Sequence, residues 1–543
     1  MPSRTEKRKK PLSKRKISWI ERTVNNNRTY KLAIYNRFFI FSISVLLQIC
    51  VYILALFLID YNAGVYVQFF FGALSFVAVI WLINRSDRPT TRLNWIILIL
   101  VFPVVGIMMY LSFGDGRPTR KMNAKLQAVK RERAGLLTSS QTALDCLEEC
   151  GRSCSVGKYL TNSLGYTVHA DGEVQYYPTG EETFSAMLTA IKGAKKFILA
   201  EYFIVAGGEM WTQLREELLK KAMEGVQIRF IYDDFGSLFH LPPKYDRYLE
   251  SLHENIRCLA FNRVVPVFAL RLNNRDHRKI LVVDGEVAFT GGINIADEYV
   301  GKKVRFGHWK DSGVRLTGSA VNSLTVMFFD LFNAFYPKKE RVEDYLIFPK
   351  GKTESTQSEG KGGGLILPYD DSPLDKISVG ETVYLDMINA AQKSLYIFTP
   401  YLILDDFMRA ALCSAAARGV DVRIVTPGVP DKKMVFRLTR ANYGLLLKAG
   451  VKIYEYTPGF IHSKSMLCDG KCAVVGTINL DYRSLYLHFE NAVLFTDERA
   501  IAQLQKDCEE TFSLSHRRTE ENSKRGVFGR LFDSILRLFE TIM

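Results

Sequence analysis

The chain contains two copies of one short pattern, His277-Arg-Lys279-Ile-Leu-Val-Val-Asp284 and His462-Ser-Lys464-Ser-Met-Leu-Cys-Asp469. Both read H-x-K-x4-D, and at equal distances they are followed by Gly291-Gly-Ile-Asn294 and Gly476-Thr-Ile-Asn479. One match of this kind is weak, because a lone His and Lys on a strand are usually surface residues. Two copies with the same downstream Gly-x-x-Asn indicate an internal repeat built around one kind of site.

The sequence around the motifs also repeats, and its pattern predicts the fold class. Apolar runs at 192–200 and 225–232 in the first copy correspond to runs at 391–398 and 419–426 in the second, and each pair flanks an amphipathic segment. Such alternation is typical of α/β proteins with parallel sheets. We therefore expect two similar α/β lobes with mainly parallel sheets that face each other across one active site.

Composition divides the chain into seven segments. The polar, glycine-rich stretch between the two repeats is typical of a flexible connector. The predicted segments are a basic cytoplasmic tail at 1–37, a membrane segment at 38–113, a basic juxtamembrane segment at 114–134, a first lobe at 135–350, a connector at 351–364, a second lobe at 365–515 and an amphipathic tail at 516–543.

The formal net charge of +15 is concentrated near the N-terminus. Residues 1–37 hold twelve Lys or Arg against two Glu, and 114–134 hold seven against two acidic residues, which leaves 135–543 close to neutral. A nucleic-acid binder carries its basic charge on the folded domain that contacts phosphates. Basic segments beside apolar ones are typical of membrane proteins, so we expect a membrane protein without a nucleic-acid partner.

Three apolar segments without charged residues, 38–59, 63–83 and 93–113, are long enough to cross a ~30 Å hydrocarbon layer as helices. A full third crossing would place the basic segment 114–134 outside, against the positive-inside rule. Pro103 and Gly106 interrupt 93–113, so we predict that this segment re-enters and that the catalytic domain is cytoplasmic. A third crossing is the alternative, since Pro is tolerated in transmembrane helices.

The motif residues are suited to chemistry on a phosphodiester. His and Lys two apart on a strand point to one face, so each copy presents an imidazole beside an ammonium. The two lysines, Lys279 and Lys464, and the amides of Asn294 and Asn479 can donate to non-bridging oxygens as charge builds on phosphorus. One histidine can attack while the other protonates the leaving oxygen. No acidic cluster has magnesium or calcium spacing, so we expect neither metal nor cofactor.

Four carboxylates are candidates for supporting this chemistry. Asp284 and Asp469 end the motifs, but Asp-Gly is also the preferred hairpin turn, so catalytic and structural roles are both open. Asp311 and Glu490, downstream of the motifs, are candidates for orienting the histidines. A carboxylate on one ring nitrogen fixes the tautomer and supports the imidazolium, whereas the alternative for each is an ordinary surface charge.

The doubled H-x-K-x4-D with Gly-x-x-Asn resembles the phospholipase D superfamily, and within it the chain is similar to bacterial cardiolipin synthases. The likeness runs from about residue 85 to the C-terminus and includes 94–114, Trp309-Lys-Asp311, Thr399-Pro-Tyr401, Ile453-Tyr-Glu-Tyr456 and Asn479-Leu-Asp-Tyr-Arg-Ser484. Family members commonly have Ser where this chain has Gly292 and Thr477, and Asn where it has His488. Gly292 removes a hydroxyl that could contact phosphate.

This resemblance implies transfer of a phosphatidyl group between two phosphatidylglycerol molecules, which gives cardiolipin and glycerol through a phosphatidyl-histidine. It implies that His277 is the nucleophile, that His462 is the acid and base, and that the protein acts on lipids of the bacterial cell membrane. A membrane-bound hydrolase and a transphosphatidylase with another acceptor alcohol are alternatives, because sequence does not show how a site excludes water. The oligomeric state is not predicted.

The C-terminal tail has apolar residues at helical spacing, with arginines between them. An interfacial helix that holds the catalytic face against anionic lipid is one interpretation. A helix packed on its own domain is the other.

Overall fold

A computed structural model describes residues 46, 50, 61–85, 89–111, 120–264, 274–348, 364–374, 377–523 and 526–537. The α-helices are α1 Tyr61–Ile83, α2 Pro89–Val101, α3 Pro103–Met109, α4 Arg120–Glu132, α5 Gln141–Glu149, α6 Ser155–Lys158, α7 Gly180–Gly193, α8 Glu209–Met223, α9 Tyr245–Leu252, α10 Ala320–Phe335, α11 Val379–Ala390, α12 Asp406–Ala417, α13 Lys433–Lys448, α14 Tyr482–Tyr486, α15 Glu498–Ser513, α16 Glu520–Ser523 and α17 Val527–Arg537.

The strands are β1 Val174–Tyr177, β2 Phe197–Tyr202, β3 Gln227–Asp233, β4 Ile256–Phe261, β5 Ile280–Val283, β6 Val287–Gly291, β7 His308–Lys310, β8 Gly313–Thr317, β9 Ile366–Asp371, β10 Ser394–Phe398, β11 Asp421–Pro427, β12 Lys452–Tyr456, β13 Gly459–Ile461, β14 Ser465–Cys468, β15 Cys472–Gly476, β16 Glu490–Phe495 and β17 Ser515–Arg517.

Two large sheets repeat one strand order. The first sheet runs β1-β8-β6-β5-β2-β3-β4, and the second runs β9-β16-β15-β14-β10-β11-β12, with β17 added at its edge. Each motif therefore begins the same strand of an equivalent sheet, β5 in one lobe and β14 in the other. The prediction of two similar α/β lobes is confirmed.

The prediction that the sheets are mainly parallel is wrong. Among the strands described, β2, β3 and β4 pair in parallel, as do β10, β11 and β12, whereas the other pairs within the two sheets are antiparallel. The motifs are the reason, because each one starts a hairpin. Asp284-Gly285 and Asp469-Gly470 form the turns, and all four residues have positive φ, as a type I′ turn requires.

Three apolar cores hold the lobes. Each lobe has a core between its sheet and its outer helices, and a third core joins the two sheets around α10 and α15. Helix α5 contributes Ala143 and Leu147 to the core of the second lobe, and His169 pairs with Ile366 of β9. Residues that follow the predicted boundary at 135 thus pack on the second lobe before the chain enters the first, and the predicted domain boundaries stay predictions.

Helices α1, α2 and α3 form a small bundle. Leu82, Trp95, Ile99 and Tyr110 are buried at its centre. The chain bends at Phe102, so that a Cβ at Gly106 would lie 2.7 Å from the Cα of Ile99. Glycine is required there because the two segments meet backbone to backbone, and the bend lies within the segment predicted to turn back.

Within the described ranges, no helix combines the length and the apolar character that crossing a membrane needs. The tail 1–37, nearly all of the predicted span 38–59 and the connector at 351–363 lie outside the described residues. The three predicted spans therefore stay predictions.

The C-terminal helix α17 has features of both interpretations of the tail. Leu536 is buried with Ile403 and Leu438, and Arg437 on α13 pairs with Asp533 at 2.6 Å. On the other side, Phe528 and its apolar neighbours are exposed. One face of the helix is packed and the other is free for a surface.

Candidate active site

Backbone contacts between the lobes position both motif histidines. Strands β7 and β13 pair in parallel between the lobes, and just beyond them the N–H of His462 donates to the carbonyl of Lys310 at 2.7 Å. At the equivalent place, Asp276 pairs with Phe489, and the N–H of His277 donates to the carbonyl of Phe489 at 2.8 Å. Each histidine lies just before its strand and is fixed to the opposite lobe.

The same contacts bring a carboxylate from the opposite lobe to each imidazole. Asp311 Oδ2 lies 2.6 Å from His462 Nδ1, and Glu490 Oε2 lies 2.8 Å from His277 Nδ1. Both carboxylates are completely buried. A carboxylate at Nδ1 holds the proton on that nitrogen and leaves Nε2 as the free base of each ring. The two lobes thus exchange their orienting groups.

Burial favours the neutral form of both imidazoles. Burial and the charge of Lys279 place the pKa of His277 well below its ordinary value, and burial with Lys464 lowers the pKa of His462 to about 4. Burial alone would raise the pKa of Asp311, but His462 and Lys464 outweigh it and lower that pKa. Burial places the pKa of Glu490 well above its ordinary value. The two pairs therefore differ electrostatically.

The structure places the motif lysines outside the cavity wall. Lys279 Nζ donates to the carbonyl of His277 at 2.5 Å, and Lys464 Nζ donates to the carbonyl of His462. Burial lowers the pKa of Lys279 to about 7 and that of Lys464 to about 8. Their contact with a phosphodiester, as expected from sequence, stays a prediction.

A cavity of about 570 Å³ lies between the lobes, and both motif histidines and both asparagines line it. The ring of Trp309 lies 5.5 Å from that of His462, and the ring of Phe203 lies 5.0 Å from that of His277. Other aromatic side chains on the wall are Phe235, Phe239, Tyr299, Phe306 and Tyr401. Aromatic rings thus border both imidazoles.

The asparagines line the cavity with their amides already engaged. Asn294 Nδ2 donates to the hydroxyl of Tyr299 at 2.8 Å, and its Oδ1 accepts from the N–H of Ile204. Asn479 Nδ2 donates to Asp481 and Ser484 at 3.1 and 3.0 Å. They stay candidates for contact with phosphate.

Asp284 and Asp469, for which the sequence left catalytic and structural roles open, lie at the hairpin turns. Asp284 accepts the N–H groups of residues 195–197, and Asp469 those of residues 392–394, so each fixes its hairpin to the start of a neighbouring strand. Neither lines the cavity. These contacts favour the structural alternative, and a catalytic role for either residue stays a prediction.

Sequence reasoning assigned no role to three polar residues of the cavity wall, Arg275, Arg483 and His488. The ring of His488 lies 5.6 Å from that of His277. Arg275 stands two residues before the first motif, and Arg483 lies in the stretch 479–484 that carries the family resemblance. Their positions close to the motifs in the sequence were the signal that could have identified them as site residues.

One group in the described residues has the spacing to hold a metal ion. The candidate ligand atoms of His277, His488 and Glu490 lie within 4.8 Å of one another. A metal there would occupy the candidate nucleophile. The absence of a metal from the reaction stays a prediction.

Comparison with known proteins identifies the family. The family model described as cardiolipin synthase, PLD-like domain, matches residues 187–304 and 384–512, and the one described as phospholipase D-nuclease N-terminal matches 73–114. A cardiolipin synthase of Alkalihalophilus pseudofirmus is 34% identical over 94% of this chain and 100% of its own length. The chain belongs to the cardiolipin synthase family. Both motifs of this family member lie inside the matched ranges.

Two further comparisons agree with this assignment. Cardiolipin synthase 2 of Bacillus anthracis is 37% identical over 86% of this chain and 89% of its own length. The crystal structure of a phosphatidylserine synthase from Haemophilus influenzae covers 72% of this chain and 98% of its own, with a TM-score of 0.55 and 16% identity. At that identity, the likeness shows that this cardiolipin synthase family member shares its fold.

Proposed function

We propose that the protein is a cardiolipin synthase that transfers a phosphatidyl group from one phosphatidylglycerol to another. The observation that carries this proposal is the pair of histidines on one cavity, each bound at Nδ1 by a carboxylate of the opposite lobe. Two such imidazoles can perform a double displacement at one phosphorus. Membership of the cardiolipin synthase family supports the choice of lipid.

In the first step, Nε2 of His277 attacks the phosphorus of the donor lipid, and the bond from phosphorus to the glycerol oxygen breaks. Its low pKa keeps the imidazole of His277 neutral and therefore nucleophilic at pH 7. His462 gives its proton to the departing glycerol. Although burial lowers the pKa of His462 to about 4, a bound phosphodiester anion raises it, because a nearby negative charge favours the imidazolium.

In the second step, His462 takes the proton from a hydroxyl of the second phosphatidylglycerol. The oxygen of that hydroxyl attacks phosphorus, the bond to His277 breaks, and cardiolipin leaves. Glu490 and Asp311 support the positive charge that each imidazole carries during the cycle. The nucleophilic role of His277 rests on analogy within the family, since each histidine has a buried carboxylate at Nδ1.

Water and other alcohols are the competing acceptors. The direct test supplies purified protein with phosphatidylglycerol alone, in the presence of a chelator, and identifies the products by mass. Cardiolipin and glycerol are the expected products. Phosphatidic acid and glycerol without cardiolipin would show a hydrolase instead.

We further propose that the N-terminal part anchors the enzyme in the bacterial cell membrane, with 93–113 re-entrant and the catalytic domain in the cytoplasm. The basic segments and the bend at Phe102 support this arrangement. A Thr138→Cys substitution in a cysteine-free variant places one thiol at an exposed position close to the membrane segment. We expect it to be protected from an impermeant thiol reagent in intact cells, and ready labelling would place the domain outside.

A further inference from the structure

The two halves of the cavity can be compared residue by residue. Beyond the motifs, Ile295 and Leu480 make equivalent parallel bridges, and Asn294 and Asn479 each donate to the residue five positions later. The segments that follow Asn294 and Asn479 are therefore equivalent, residue by residue. The side chain four positions after each asparagine faces the same cavity in both halves.

The charge at that position is reversed between the halves. It is Glu298 after Asn294, and it is Arg483 after Asn479, and both line the cavity. A second difference lies before the motifs, where Arg275 stands two residues before His277 and Phe460 stands two before His462. Arg275 belongs to the first lobe, but its carbonyl accepts the N–H of Phe489 in the second lobe, and its charge acts on Arg483. The framework of the site is symmetric, but its charge is not.

Arg483 is unusual among the partly or fully buried arginines of the protein. Arg278 contacts Glu201 at 2.7 Å, and Arg229 contacts Glu340 at 2.8 Å. Around Arg483, the neighbouring carboxylate of Asp481 accepts instead from Asn479 and from the N–H of Ser484. Within the part of the chain that the structure describes, no hydrogen bond or ion pair engages the guanidinium of Arg483.

Its surroundings compensate this positive charge only in part. Burial lowers the pKa of Arg483, with Asp481 acting in the opposite direction and Arg275 in the same one. A cation held in a partly buried wall without a partner favours an anionic ligand in the cavity.

We propose that Arg483 binds the phosphodiester of the acceptor phosphatidylglycerol. This inference rests on the proposed cardiolipin synthase activity, in which the acceptor's phosphodiester enters a site that already holds the phosphatidyl group on His277. The reacting phosphorus lies between the two histidines and is approached equally from both halves. Arg483 is present in only one half, so we expect it to bind an anion that lies on that side of the cavity and away from the reacting phosphorus.

The phosphate of the acceptor is such an anion. The three-carbon glycerol unit separates it from the attacking hydroxyl, so it cannot lie at the reacting centre. A guanidinium can bind two oxygens of the acceptor phosphate at once. This would fix the orientation of the acceptor, so that its hydroxyl lies near the phosphorus on His277. Arg275 adds to the positive potential at the same end of the cavity.

Two reactions of the same enzyme separate the acceptor from the donor. Formation of cardiolipin needs the acceptor phosphate. Exchange of isotopically labelled glycerol into phosphatidylglycerol uses only the first step and its reverse, and it involves no second phosphate. Both rates are measured with the full-length protein in phosphatidylglycerol vesicles, for the unmodified chain and for Arg483→Gln.

We expect Arg483→Gln to lower the rate of cardiolipin formation by about tenfold to a hundredfold, as the loss of a charge-assisted hydrogen bond predicts. Glycerol exchange should be unchanged. Arg483→Lys, which keeps the charge, should recover part of the cardiolipin rate. The matched control is Arg499→Gln, an exposed arginine on α15, which should leave both rates unchanged.

An equal loss of both rates in Arg483→Gln would overturn the inference, because the residue would then act on the donor or on the architecture of the site. No loss of either rate would overturn it as well. Thermal unfolding of each variant shows that it is folded, and the Lys variant supplies the test if the Gln variant is not. If the unmodified protein exchanges glycerol but makes no cardiolipin, the proposed function has failed rather than the role of Arg483.

Discussion

The two half-sites of this enzyme have the same backbone and different side chains. Gly291 pairs with Gly313 in one sheet and Gly476 with Ala492 in the other, which sets the residues two positions before Gly313 and Ala492 at equivalent places. Three differences separate the halves beside the histidines. The equivalent pairs are Gly292 and Thr477, Asp311 and Glu490, and Trp309 and His488.

These differences are adjusted to one another. A Cβ at Gly292 would lie 2.1 Å from Oδ1 of Asp311, so the shorter carboxylate needs a glycine beside it. In the other half, the hydroxyl of Thr477 donates to the carboxylate of Glu490. The residue at the family's common serine position therefore acts on the carboxylate. Gly292 is therefore explained by its close approach to Asp311, and not by the loss of a phosphate contact that the sequence suggested.

The histidines themselves should show the largest difference between the halves. His277→Ala should form no phosphatidyl-enzyme, because it removes the attacking group. His462→Ala should lose about 10²- to 10⁴-fold in turnover, the usual contribution of general acid and base catalysis. A donor lipid with a nitrophenyl leaving group needs no proton, so it should still load His462→Ala, and digestion with mass analysis should locate the adduct on His277.

The opposite result is equally informative. An adduct on His462 in the His277→Ala variant would show that the two roles are exchanged. The carboxylates of the two halves would then exchange roles as well.

Gly292→Ser should have the next largest effect, although family members commonly have Ser there. The added Cβ must displace the carboxylate of Asp311 from His462. A misplacement of about 1 Å at a catalytic group costs on the order of 10²-fold, so we expect a loss in kcat of that size. Thr477→Ser keeps the hydroxyl and is the matched control. A fully active Gly292→Ser variant would show that Asp311 does not need its present position.

Thr477→Val should have a smaller effect that depends on pH. The hydrogen bond from Thr477 lowers the pKa of Glu490, so its removal raises that pKa further. Only the ionised form of Glu490 stabilises the His277 imidazolium. This form is present above the pKa of Glu490, and it is lost as the pH falls below that pKa. We expect about a tenfold loss and an acid limb of the pH–rate profile at higher pH. An unshifted acid limb would assign that limb to another group.

A chelator should have the smallest effect, which is none. The positive charge of the site is assigned to lysines and arginines of the chain, so cardiolipin formation should be equal with and without EDTA. Loss of activity with EDTA and rescue by a divalent cation would contradict this. The cluster of His277, His488 and Glu490 would then be the first place to look, and His488→Asn would test it.

Much of this site could be predicted from sequence because its elements are local. The repeat, the paired histidines and the Asp-Gly turns are short patterns with a fixed geometry. Asp311 and Glu490 were identified as candidates, but their exchange between lobes depends on β7 meeting β13, which no local pattern encodes. The antiparallel pairing was missed because helical segments between apolar runs indicate parallel strands, and only three strands of each sheet follow that pattern.

The crossing of carboxylates between lobes has a consequence during protein synthesis. Glu490 lies 213 residues after His277, and Asp311 lies 151 residues before His462. A ribosome-bound chain that has released only the first lobe holds a motif histidine without its partner carboxylate. Such a chain cannot assemble either imidazole–carboxylate pair. The enzyme can therefore act on membrane lipids only after nearly the whole polypeptide has left the ribosome.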